Sequence, residues 1–319
     1  MENFPSTFSQ YTEKHLAFDI CNVCNAQCYY CQTGFANRYQ VPCNKGNAFI
    51  EVGLFERILR YLKAQHWIEA GTKIHLYNWG EPMLHPEFAR ILEIAAQEHC
   101  WVALSTNAAV LPKIPKNFDA RHIGFIKFSM CGFSQASYDK IHRLDFERIR
   151  NHIEQIVTTF RQHGFVGQFM IYFHVYQFNV HELQAAYDFA QQLQITCHPV
   201  FAVINDWEKL KQYLQKTLPN DYLHQVAQDL WMGYSTKDFH PVSDCPMAHN
   251  LTIDANGRCI LCCLVDEGIG NVLEMTQEKW TQLHQQSVTC QQCKKLGIPK
   301  LEFNAMPVDM PLFAKAFAR

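Results

Sequence analysis

Apolar positions along this chain switch repeatedly between the runs and alternation of strands and the three-and-four spacing of helices. Residues 16–20 form an apolar strand-like run, and a polar stretch follows to about residue 47. Leu54, Ile58, Leu59 and Leu62 recur at helical spacing. Residues 73–79 read as a strand ending at Gly80-Glu81-Pro82, and Pro86 can open a helix carrying Phe88, Ile91, Leu92 and Ile94. Residues 101–104 form a strand ending in Ser105-Thr106-Asn107, and residues 125–128 another ending in Ser129. A long amphipathic region, 135–163, presents Ile149, Ile153, Ile156 and Val157. Residues 169–175 make a fifth strand, 182–192 a helix and 200–204 a sixth strand.

Six alternations of strand and helix predict an α/β fold with a parallel sheet and right-handed crossovers. They are fewer than the eight of a closed barrel, and periodicity alone does not separate a partly open barrel from a doubly wound sheet. Either way ligands collect at the C-terminal strand ends, where the polar motifs fall. From Asp206 the pattern changes: residues 207–218 and 222–232 read as helices, and past His240 the chain is cysteine-rich with short strand-like pieces. This places a boundary near 235–240, dividing a core, 1–238, from a smaller unit, 239–319.

With 319 residues and 48% hydrophobic content the chain can fill a sizeable core. A net charge of −2 offers no basic field, so nucleic acid is not expected as a partner. No apolar run approaches the ~18–20 residues that span a bilayer, and Met1 to Pro5 lacks the pattern of a signal peptide. A cytoplasmic protein without membrane association is expected. Of the fourteen cysteines, Cys21, Cys43, Cys100, Cys131, Cys197 and Cys259 are mostly scattered and read as small buried hydrophobes. The clustered ones point to metal binding or catalysis.

Cys24, Cys28 and Cys31 have the spacing Cys-x3-Cys-x2-Cys, with Tyr30 before the last. Three thiolates serve three irons of a cubane and leave the fourth open, whereas ferredoxin sites use four cysteines. A zinc site is the alternative, but zinc usually takes four ligands. The triplet resembles that of the radical SAM superfamily. That resemblance implies a partial (β/α)6 TIM-like barrel and a 4Fe–4S cluster whose open iron binds S-adenosylmethionine. It further implies an electron donor such as flavodoxin or ferredoxin, and a 5′-deoxyadenosyl radical that takes hydrogen from substrate. Gly80-Glu81-Pro82 looks like the family's Gly-Gly-Glu-Pro motif with Trp79 replacing the first glycine, and would receive the methionine ammonium. By the same resemblance Tyr30, Ser105, Asn107 and Ser129 surround the cofactor, and Arg143 pairs with the methionine carboxylate; turn, cap or solvated roles remain the alternatives.

Cys245, Cys262 and the pair Cys290 and Cys293 supply four more thiols, the second delivered by a hairpin with Asn256-Gly257 at its turn. With Gly270-Asn271-Val272 and Trp280, this resembles the SPASM and twitch extensions of radical SAM enzymes. Because no cysteine follows Cys293, the resemblance implies one auxiliary 4Fe–4S cluster; a zinc ribbon is the alternative. Cys263 on an alternating strand would face away from its ligand neighbour Cys262. Radical SAM epimerases use such a thiol to return hydrogen, which makes Cys263 the candidate donor, ahead of Cys259 and Cys131. Tyr172 and His174 share one face of the fifth strand and are candidates for binding substrate. Only about twenty residues precede Cys24, which favours a small polar substrate over a peptide. The expected reaction is epimerisation or dehydrogenation at a carbinol carbon of a sugar-, aminoglycoside- or cyclitol-like molecule. Maturation of a ribosomal peptide is the alternative, and a non-catalytic iron–sulfur electron carrier is disfavoured by the three-cysteine site.

Overall fold

The computed structural model describes residues 16–41, 46–236 and 239–301. The expectations for Met1 to Pro5 and for Cys43 lie outside the described residues. In chain order the elements are β1 (Leu16–Phe18), α1 (Gln32–Tyr39), α2 (Val52–Ala64), β2 (Lys73–His75), α3 (Phe88–Gln97), β3 (Trp101–Thr106) and β4 (Ile123–Met130). Then come α4 (Gln135–Lys140), α5 (Phe146–Gln162), β5 (Gln168–Val175), α6 (Leu183–Leu193), β6 (Thr196–Phe201), α7 (Trp207–Leu214), α8 (Asn220–Asp229) and α9 (Met232–Ser235). The last are β7 (Leu251–Ile253), β8 (Arg258–Cys262), β9 (Val265–Asn271), α10 (Gln277–Gln286) and α11 (Val288–Lys295).

All strands join one sheet in the order β6-β5-β4-β3-β2-β1-β7-β8-β9. β1 to β6 are parallel neighbours in sequence order, as the alternation predicts. β7 pairs parallel with β1 on its other side, Leu16 opposite Leu251, and carries β8 and β9 antiparallel. The cysteine-rich hairpin thus continues the sheet beside the strand that leads into the first cysteine loop.

Burial alternates along the strands. In β4 Ile126, Phe128 and Met130 are buried while Phe125, Lys127 and Ser129 are half-buried; in β5 Ile171, Phe173 and Val175 are buried while Tyr172 and His174 are half-buried. The buried set joins one core with Phe55, Ile58 and Leu62 of α2, Ile91 and Leu92 of α3, and Ile149 and Ile153 of α5. Each such side chain contributes on the order of 1.5–3 kcal/mol on burial. The other face of the strands is left more open and polar.

Three elements differ from expectation. The polar stretch after Cys31 contains α1, whose buried positions are Thr33 and Gly34, so no apolar period announces it. The region 135–163 is two helices: Arg143 adopts φ 54°, and Asp145 caps α5 by accepting from the Arg148 amide. The sixth strand lies at Thr196–Phe201; Pro199 hides it, yet β6 is the sheet edge, where proline is tolerated. Among the described residues no helix is long and apolar enough to cross a membrane.

Candidate radical site at the sheet's C-terminal edge

The loop carrying Cys24, Cys28 and Cys31 links the end of β1 to α1. Cys31 is the N-cap of α1, and its carbonyl accepts the Phe35 amide at 2.7 Å. A Cβ on Gly34 would stand 2.4 Å from the Cys28 nitrogen, so α1 can start against this loop only with glycine there. Asn37 Nδ2 donates to the carbonyls of Cys24 (2.8 Å) and Ala26 (2.9 Å), and the Gln27 amide donates to the His142 carbonyl at 2.9 Å. The loop is therefore fixed by its own helix and by the segment joining α4 to α5.

The three thiols fit a polynuclear metal group. Burial first and then the Glu81 charge push the Cys24 thiol up to about 12. Burial first, then the neighbouring Cys31 and Cys24, push Cys28 well above the ordinary thiol range. Left alone, Cys24 and Cys28 stay protonated; as thiolates they require a shared positive partner.

Glu81 is reached through a tight crossing. Asp19 accepts the amides of Trp79 (3.0 Å) and Gly80 (2.9 Å), and the Glu81 amide donates to the Val23 carbonyl at 2.9 Å. The Glu81 carboxylate, 3% exposed, accepts from the Thr106 hydroxyl (2.7 Å), the Asn107 amide (2.7 Å) and the Met83 amide (3.0 Å). Both oxygens thus bind the end of β3 and the turn at Pro82, where the resemblance would give them an ammonium. The Asn107 side-chain oxygen accepts the Ala109 amide (2.9 Å), which turns its Nδ2 towards Asn25 Oδ1 (2.9 Å) and Cys24 Sγ (3.6 Å). Glu81 positions Asn107, and Asn107 presents an N–H to the first cysteine.

Burial raises the Glu81 carboxyl from its ordinary 4.5 to about 7, against the three donors that lower it. Between those two values the folded chain holds a proton that the unfolded chain has released. Stability from this group is therefore highest below pH 4.5 and declines, by about 3 kcal/mol at most, as pH rises through 7. Glu81→Gln should flatten this slope. Thermal melts of both proteins across that window check it; parallel slopes would contradict it.

The other candidates are spread around this centre. Ser105 and Ser129 hydroxyls lie 3.2 Å apart near the tips of β3 and β4. Arg143 is exposed and donates to Gln27 Oε1 at 3.3 Å, so it braces the cysteine loop. Tyr30 is 4% exposed, its ring packs against Tyr176 and Tyr222, and its hydroxyl donates to the buried Asp229 at 2.8 Å. On the open face Lys127 lies between the rings of Tyr77 (4.7 Å) and Tyr172 (4.6 Å), and His174 is pushed down to about 4 by burial and then by Lys127. Lys127 was legible only as a charged residue inside an otherwise apolar strand.

Cys245, Cys262, Cys290 and Cys293 line a single cavity together with His284. Cys262 ends β8, while Cys290 and Cys293 lie one turn apart on α11. Cys263 does not continue the strand. Cys262 pairs with Val265, so Cys263 and Leu264 are the two residues of the hairpin turn, and the strand-alternation argument for its direction falls away. Among the described residues no three His, Cys, Asp or Glu side chains converge as a single ion would require. A cubane asks instead for one thiolate per iron.

A family model described as the Radical SAM superfamily matches residues 19–190. The structure resembles native anSMEcpe with bound AdoMet, with a TM-score of 0.56, 13% identity, and coverage of 89% of this chain and 84% of that one. It likewise resembles anSMEcpe with bound AdoMet and Cp18Cys peptide, at 0.54 and 14%, covering 89% and 82%. Streptococcus suis SuiB bound to precursor peptide SuiA follows at 0.55 and 14%, covering 90% and 70%. At such identities the likeness is one of fold, the partial barrel. No curated protein sequence matches the chain.

Proposed function

This chain belongs to the radical SAM superfamily, and on that premise we propose that it abstracts a hydrogen atom from a small polar substrate held on the open face of its sheet. The reading is carried by one observation: Cys24, Cys28 and Cys31 sit half-buried in one loop, with the Asn107 side-chain amide turned onto Cys24. Bound there, a 4Fe–4S cluster and S-adenosylmethionine supply the reductive cleavage whose product, a 5′-deoxyadenosyl radical, takes hydrogen from substrate. Cys24, Cys28 and Cys31 would hold three of its irons. Glu81 sets the end of β3, and Ser105 and Ser129 offer hydroxyls at the strand tips. Tyr172, His174 and Lys127 offer hydrogen-bonding groups and ring faces to a sugar-, aminoglycoside- or cyclitol-like ligand. Cys245, Cys262, Cys290 and Cys293 would hold one auxiliary cluster.

Two products are compatible with this arrangement. Hydrogen returned from the Cys263 thiol to a carbinol carbon would give an epimer, leaving a thiyl that one electron from the external donor and a proton would restore. Loss of one electron, which a cluster held at the auxiliary site would accept, and of the hydroxyl proton would give a ketone. Peptide is the alternative substrate, since two of the similar structures hold peptides by name. The test is an anaerobic reaction with carbinol-deuterated aminoglycosides, sugars and cyclitols. Deuterium should appear in 5′-deoxyadenosine, with Cys263→Ala abolishing the epimer but not the ketone. Label transfer only from a peptide would overturn the small-substrate reading.

A further inference from the structure

We propose that His284 is a positioning residue of the auxiliary site, donating its Nδ1–H to the sulfur of Cys290. The inference rests on the reading of Cys245, Cys262, Cys290 and Cys293 as cluster ligands. His284 lines the same cavity as those four thiols, and its Nδ1 lies 3.6 Å from Cys290 Sγ. It is 8% exposed, and its ring also meets the backbone of Leu261.

The two buried positions of α10, Trp280 and His284, are four residues apart on one face. An apolar residue would fill the second of them without penalty, whereas a buried polar group is costly unless it finds a partner. A ligated Cys290 carries no proton, so only the Nδ1–H tautomer makes this contact.

The ring is held in place. Trp280 packs against it with centroids 4.5 Å apart, and the Trp280 indole donates to the Ala248 carbonyl at 3.1 Å, in the short turn that Cys245 opens. Cys290 is held from the other side by Ser287, whose hydroxyl accepts the Cys290 amide at 3.1 Å. One tryptophan thus fixes both the first ligand's turn and the histidine facing the third ligand. Donation to a cluster thiolate stabilises the more negative, reduced state and raises the reduction potential.

The test uses the full chain with Cys24, Cys28 and Cys31 changed to alanine, so that only the second site binds iron. Iron per chain and the midpoint potential, followed by electron paramagnetic resonance, are measured in this parent, in His284→Phe and in His284→Asn. Phenylalanine keeps the ring shape without a donor; the asparagine amide places an N–H near the position of Nδ1. The parent should bind about four irons. His284→Phe should shift the potential downward or lose iron, and His284→Asn should stay close to the parent. Equal potentials in the parent and His284→Phe, or the same shift or iron loss in both variants, overturn the role of His284 alone. An iron-free parent overturns the cluster reading and this assignment with it.

Discussion

Gly80→Ala should destabilise the chain by on the order of 3–5 kcal/mol and cut S-adenosylmethionine cleavage by at least about 10²-fold. A Cβ at this position would lie 1.6 Å from the Cys21 carbonyl oxygen and 2.9 Å from Asp19 Oδ1. Backbone, not a flexible side-chain tip, stands in the way, so the loop must move off the end of β1. That movement pulls Glu81 away from Thr106 and Asn107, and Asn107 away from Cys24. The glycine is required here by the space between two strands' ends. Thermal melts and 5′-deoxyadenosine formation measure the two consequences; wild-type values for both would contradict this geometry.

Replacing Cys24, Cys28 and Cys31 together by alanine should lower the iron content from about eight to about four per chain and remove S-adenosylmethionine cleavage. The fold should persist, because backbone bonds and Asn37 hold the loop without any thiol. Iron analysis beside a circular dichroism melt measures this. Zinc replacing the remaining iron would exclude the auxiliary cluster, and cleavage persisting in the triple variant would remove the first site.

The order of strands and helices was legible because each buried strand face is apolar and each covering helix repeats at three-and-four spacing, as in Phe55, Ile58, Leu59 and Leu62. The cysteine triplet and Glu81 were legible as local motifs at strand ends. What stayed hidden depends on distant partners. Asp19 lies in an apolar run, yet it receives the amides that place Glu81. α1 is built on Thr33 and Gly34, which carry no periodic signal. The pairing of β7 with β1 joins residues far apart in the chain, which no local pattern encodes. The Tyr30 hydroxyl finds Asp229, from α8, almost two hundred residues on. Cys263 reads as a strand residue until the pairing of Cys262 with Val265 turns the chain. His284 carries no signal in the sequence, and α11 brings Cys290 against it.

The central claim is that the loop from Cys24 to Cys31 supports reductive cleavage of S-adenosylmethionine. Its most direct test is anaerobic incubation of the iron-loaded chain with S-adenosylmethionine and dithionite, followed by quantification of 5′-deoxyadenosine and methionine. Both should form together with the wild-type chain and neither with Cys28→Ala. A wild-type chain that carries its full iron and leaves S-adenosylmethionine intact would contradict the account.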